Sequence, residues 1–202
     1  MSMDRKLVIG TSNPGKFVEI SEVLNGTPVE IVSSVDLGLS NDVDESGETY
    51  EENALKKVKH YFDQSGFMTL AEDSGIVVDA LKGELGVKTR RWGAGENATD
   101  EEWIEHFLRV LKNVPDEERT ARFICCAALM DDKGVARVFE GVTEGIITRE
   151  LEAEFYKGLP ISACFKPLGF EKVYSALSIA EKNKVSHRGK AMHAVKDALL
   201  GG

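Results

Sequence analysis

The chain has 202 residues, 42% apolar and 29% charged, with a formal net charge of −9. Those proportions describe an ordinary globular protein, long enough for one large domain or one domain of two lobes. The acidic balance argues against a general nucleic-acid binder, which needs a basic stripe to displace counterions, but it leaves room for a small anion in a local basic pocket.

In chain order, "KLVIG" at 6–10 is a β-branched run ending on glycine and predicts a buried strand. "TSNPGK" follows, and "FVEISEVLN" then carries Phe17, Ile20, Val23 and Leu24 at helical spacing until Gly26 closes the helix. "VEIVSS" reads as a second strand, and 36–48 as an acidic, irregular stretch. A helix is expected from about 50 to 63, where Tyr50, Ala54, Val58 and Phe62 recur every four residues. "FMTLAED" and "IVVDAL" predict two strands on either side of a tight Ser74–Gly75 turn. "DEEWIEHFLRVLKNV" is an amphipathic helix that stops near Pro115. The run from Arg119 to Thr148 reads as an antiparallel pair with "DDKG" as its turn. "GKAMHAVKDALL" closes the chain as a helix with Met192, Val195, Ala198 and Leu199 on one face. Strands and helices mix, with a parallel-type start and an antiparallel middle, so an α/β fold around a mixed sheet is expected. The absence of repeats and linkers points to a single domain over 1–202.

The cysteines (Cys125, Cys126 and Cys164) lack metal-ligand spacing, and the adjacent pair is expected to point to opposite faces of a strand as packing thiols. Without a signal segment, or an apolar run near the roughly 20 residues that span a bilayer, the expectation is a cytoplasmic protein without membrane or nucleic-acid partners.

Several stretches carry chemistry. In "GTSNPGK", 10–16, Asn13 as cap puts Pro14 at the first helical position and leaves free amides and the Lys16 charge at the positive end of the helix dipole. That is the outline of a phosphate site, although Phe17 stands where a P-loop needs a hydroxyl; an ordinary helix start fits the same residues equally well. In "SHRGK", 186–190, Ser186 can cap while His187 and Arg188 occupy a first turn where the dipole disfavours cations, which implies a compensating anion. A solvated basic turn is the plain alternative. "DVDESGE" at 42–48 is by default a solvated loop, yet with Glu72 and Asp73 it could supply oxygen ligands to a hard cation such as Mg²⁺. Thr49 and Glu52 read as a capping box. His60, His106 and His193 lack a second ligand at i+4 and read as surface or packing residues, and Trp92 and Trp103 as core or rim. Two basic helix starts and two acidic groups together describe a site for a polyphosphate with a divalent metal.

In this order, "TSNPGK", "ESGETYEENALKKV", "LAEDSGIVVDAL", "RRWGAGENATDEE" and "EKNKVSHRGKA" resemble the motifs of the inosine triphosphate pyrophosphatase family, the house-cleaning XTP/dITP diphosphatases, from about 6 to 195. The resemblance implies a two-lobed α/β fold with a long central mixed sheet, an active-site cleft between the lobes and a homodimer. It also implies Mg²⁺-dependent hydrolysis of ITP, dITP and XTP to the monophosphate and pyrophosphate. Carried over by motif position, Thr11, Ser12, Asn13 and Lys16 would hold the triphosphate, Glu45 and Asp73 the metal, and Asp73 would also accept the proton of the attacking water. Ser74 would contact substrate, while Lys182, His187 and Arg188 would line the nucleotide side of the cleft. Glu72, where the family usually has Asp, would reinforce the negative field. The family's base-reading stretch generally reads G-F-G-Y-D-P-I-F; here 158–165 is "GLPISACF", with Leu159 in place of the stacking aromatic and Ser162 in place of the acidic residue. The alternatives this leaves are the same chemistry with a shifted base preference, or a nucleotide sensor with weak turnover.

Overall fold

The structure, a computed structural model, describes residues 5–93, 95 and 98–201, with the side chains of Arg90 and Arg91 outside that description. Ala94, Glu96 and Asn97 of the "RRWGAGENATDEE" stretch therefore lie outside the described residues. In chain order the elements are β1 (Lys6–Ile9), α1 (Pro14–Leu24), β2 (Glu30–Ser33), α2 (Tyr50–Ser65), β3 (Met68–Val78), α3 (Asp100–Val110), β4 (Thr120–Met130), β5 (Ala136–Ile147), β6 (Phe165–Pro167), α4 (Ile179–Val185) and α5 (His187–Leu200).

The strands form one mixed sheet in the order β2-β1-β3-β4-β5-β6. β1 lies parallel to both β2 and β3, and from β3 to β6 every neighbour is antiparallel. The α/β reading with a parallel start and an antiparallel middle is borne out. The helices begin where polar caps precede them. Asn13 accepts a hydrogen bond from the Lys16 amide at 3.1 Å, and Ser186 accepts one from the Gly189 amide at 3.0 Å. Thr49 caps α2 through the Glu52 amide, but the Glu52 carboxylate accepts from the Glu48 amide at 2.7 Å instead of reaching back to Thr49. Gly66 ends the same helix at φ 69°, the left-handed position glycine takes most easily.

One expectation fails. There is no turn at Ser74–Gly75: β3 runs unbroken, with Asp73, Ser74 and Gly75 paired to Cys126, Cys125 and Ile124 of β4. Asp-Ser-Gly is turn chemistry locally, but ten consecutive pairs with β4, from Thr69 to Val78, override it. The glycine answers to crowding, since a Cβ at Gly75 would lie 2.5 Å from the Gly86 carbonyl oxygen and 2.9 Å from the Tyr50 hydroxyl.

Apolar side chains gather in three clusters. α1 and α5 cover one face of the sheet over Leu7, Ile9, Leu70 and Cys125, while α2 covers the other over Ala71, Cys126 and Ala128. The adjacent cysteines thus face opposite ways, as the strand period requires. The third cluster builds the other lobe around the far end of β3, α3 and β6, from Ile76 and Val78 to Trp103, Phe107 and Phe165. Trp103 is core, and Trp92 packs edge-on against it at 6.2 Å. Buried Arg119 locks this lobe: its guanidinium donates to the carbonyls of Leu111, Ile147 and Thr148 at 2.6 to 2.7 Å. Between the lobes lies a cleft of about 940 Å³.

Candidate active site

Glu72 and Asp73 are neighbours on β3, so the pleat sends their side chains to opposite faces. Glu72 enters the α1/α5 side, where the Lys16 ammonium meets it at 2.8 Å and the Arg188 guanidinium at 3.3 Å. It is buried, which would raise its pKa, but Lys16 and Arg188 outweigh the burial and hold it well below the usual carboxylate range. Asp73 enters the α2 side. There Lys57 donates to its Oδ1 at 2.7 Å and Asn53 to its Oδ2 at 3.3 Å. Each carboxylate thus has its own cation, and Glu72 is an anchor for Lys16 and Arg188 more than a reinforcement of Asp73.

The acidic stretch comes to the same place. The Gly47 amide donates to Asn53 at 2.8 Å, drawing the loop over α2, and Glu45 meets Lys57 at 3.1 Å. One ammonium therefore bridges Glu45 and Asp73, whose oxygens converge on a single point. Among the described residues no group of three or more His, Cys, Asp or Glu side chains is arranged to hold a metal.

Opposite, the turn from β1 into α1 carries Thr11, Ser12, Asn13 and Lys16 along the cleft. Asn13 donates to the Gly158 carbonyl at 3.1 Å and the Gly158 amide to Asp100 at 2.6 Å, which ties α1, α3 and the 158–162 segment together. At the start of α5, Arg188 reaches Glu19 at 2.5 Å and donates to Ser74 at 3.0 Å. The compensating anion expected there is in part the protein's own, supplied by Glu19 and Glu72. Burial opposes ionisation of Glu19, yet Arg188 and Lys182 prevail and lower its pKa. His187 stacks flat on Phe123, centroids 4.5 Å apart and planes within 10°. Burial, with Arg188 beside it, pushes the imidazole pKa well below 6.5, so the ring is neutral at neutral pH.

Besides Glu72, eleven of the twelve further side chains given a site role in the sequence line this cleft: Thr11, Ser12, Asn13, Lys16, Glu45, Asp73, Ser74, Leu159, Ser162, His187 and Arg188. The twelfth, Lys182, sits behind the wall, donating to Glu19 at 2.5 Å and to the Ser162 hydroxyl at 3.3 Å. Two contributors escape the sequence reading, Lys57 and Glu19. Neither stands out in the sequence; the structure places Lys57 one turn after buried Asn53 on α2, and Glu19 beside Ile20 on the buried face of α1.

The walls sort by chemistry. Lys16, Arg188 and the positive N-terminal end of α1 suit a polyanion, and Glu45 with Asp73 suits a cation or a proton. Leu159, Ile161, Phe123 and the neutral His187 offer an apolar, partly aromatic surface to a flat organic group.

A family model described as the Ham1 family matches residues 7–198. Curated relatives named dITP/XTP pyrophosphatase include one from Geobacter sulfurreducens, 40% identical over 198 residues and 96% of each chain. Another, from Caldanaerobacter subterraneus, is 39% identical over 196 residues and likewise 96% of each chain. Among solved structures, a HAM1 protein from Coxiella burnetii superposes with a TM-score of 0.83 at 32% identity, covering 98% of this chain and 100% of that one.

Proposed function

This chain belongs to the Ham1 family, and from that premise we propose that it hydrolyses non-standard purine nucleoside triphosphates of the dITP and XTP kind, releasing the monophosphate and pyrophosphate. The single observation that carries the reading is the convergence on one cleft of Lys16 and Arg188 with Glu45 and Asp73. Lys16, at the positive N-terminal end of α1, binds the phosphate tail, and Arg188, fixed by Glu19 and Glu72, presents a preorganised positive charge. Asp73 orients the attacking water and takes its proton as water adds at the α-phosphorus; pyrophosphate leaves. The apolar wall of Leu159 and Ile161 excludes solvent around the base.

The donor set fits Mg²⁺, which accepts one or two carboxylates and completes its shell with water and substrate phosphates. Glu45 and Asp73 already converge on a cation, the Lys57 ammonium at 3.1 and 2.7 Å, and they would hold the ion. When bound, it neutralises charge developing on the phosphates. Among the described residues no helix is long and apolar enough to cross a membrane. We place the protein in the cytoplasm, where the nucleotide pool lies, as a homodimer without nucleic-acid or membrane partners; light scattering tests the dimer.

The deciding experiment is pyrophosphate release across ITP, dITP, XTP, GTP and pyrimidine triphosphates. Selective turnover of the first three is expected. Asp73→Asn should lower kcat by at least about a hundredfold, the size of a general-base contribution, in a protein that stays folded. Near-normal turnover by that variant would sink its assigned role. Ser162, whose hydroxyl accepts from Lys182, favours one second reading, a shifted base preference with the same chemistry. The same panel reports it as a change of preferred base.

A further inference from the structure

Lys57 has no role in the reaction as written, yet it holds a singular position. Its side chain is only 11% exposed, and its ammonium contacts both carboxylates of the candidate metal pair, Asp73 at 2.7 Å and Glu45 at 3.1 Å. The second oxygen of Asp73 is engaged by Asn53. The oxygens a metal would need are therefore the oxygens Lys57 holds.

We propose that Lys57 is a tethered counter-cation that occupies the carboxylate pair when no nucleotide is bound, so that a divalent ion enters only in company with a polyphosphate. A metal arriving alone must displace a positive charge and then face it a few ångströms away, in a cleft where charges are poorly screened. A polyphosphate changes that balance. Lys57 lines the same cleft as Thr11 to Lys16, so a phosphate tail offers the displaced ammonium another anion. The device would keep the free protein from holding a metal with no nucleotide to act on, and make metal and nucleotide binding mutually reinforcing. This inference rests on the reading of Glu45 and Asp73 as the metal carboxylates.

The test is binding of Mn²⁺ alone, followed by electron paramagnetic resonance, to wild type, Lys57→Met and Lys57→Arg. The methionine variant is expected to bind Mn²⁺ at least about tenfold more tightly than wild type, because a neighbouring unit charge has gone. The arginine variant should stay as weak as wild type, and added tripolyphosphate should shrink the gap between methionine variant and wild type. Should Lys57→Met fail to fold, Lys57→Gln, which keeps a hydrogen-bond donor, takes its place. Equal or weaker Mn²⁺ binding by the neutral variant overturns the proposal. The underlying reading fails separately: adding Glu45→Gln or Asp73→Asn to the neutral variant would then leave its Mn²⁺ affinity unchanged.

Discussion

Two adjacent carboxylates on one strand carry opposite burdens. Glu72 is buried among cations, and removing its charge takes the carboxylate from Lys16 while leaving Arg188 with Glu19; Glu72→Gln should cost up to about 3 to 5 kcal/mol, the usual penalty for breaking a buried pair. Denaturant midpoints at neutral pH measure it. Acid should act in two stages. His187 takes up a proton readily when unfolded, near pH 6.5, but not when folded, so stability should fall as pH drops below about 6.5, by up to about 1.4 kcal/mol per pH unit. Glu72 and Glu19, held ionised in the fold, add a second loss below their ordinary value of 4.5. His187→Phe should flatten the first stage and spare the second, as pH-dependent urea melts would register. At this scale the sequence was informative wherever chemistry is local. Asn13, Lys16 and Ser186 announce themselves by capping position. Glu19 and Lys57 do not, because an acid or a base on a helix reads as solvated until the elements that pack against that face are known.

At the scale of elements, β3 and Arg119 decide most. Gly75→Ala drives a methyl toward the Gly86 carbonyl, which backbone cannot easily yield, and should cost about 1 to 3 kcal/mol by overpacking, visible as a lowered Tm. Arg119→Met leaves the carbonyls of Leu111, Ile147 and Thr148 without their shared donor. The Leu111 carbonyl keeps the Val114 amide at 3.1 Å; a buried acceptor left without a donor costs about 1 to 3 kcal/mol, and hydrogen exchange should report loosening of this lobe first. Helix starts, the β4–β5 hairpin and the opposed cysteines were legible because capping and two-residue alternation are short-range signals. The unbroken course of β3 was not. Its residues favour a turn, and only the partner strand, some fifty positions later, supplies the reason to stay extended.

At the scale of the molecule, the cleft is lined from both lobes: the β1–α1 turn and α2 on one side, α3 and the 158–162 segment on the other. A metal-loaded, non-hydrolysable triphosphate at a hundred times its Kd should therefore raise global stability by about 2.7 kcal/mol, which thermal melts with and without it would detect. The α/β class followed from element order, and the cleft from the resemblance; the tie between α3 and α1 through Asp100, Gly158 and Asn13 needed three dimensions. The alternation at Glu72 and Asp73 has a further consequence for how this chain can change. Substitutions along β3 alter one wall at a time. A single inserted residue ahead of them would rotate everything downstream by half a turn, handing the acid meant for Lys16 and Arg188 to the opposite helix and the reverse. Evolution can rewrite letters in this strand, but not its spelling length.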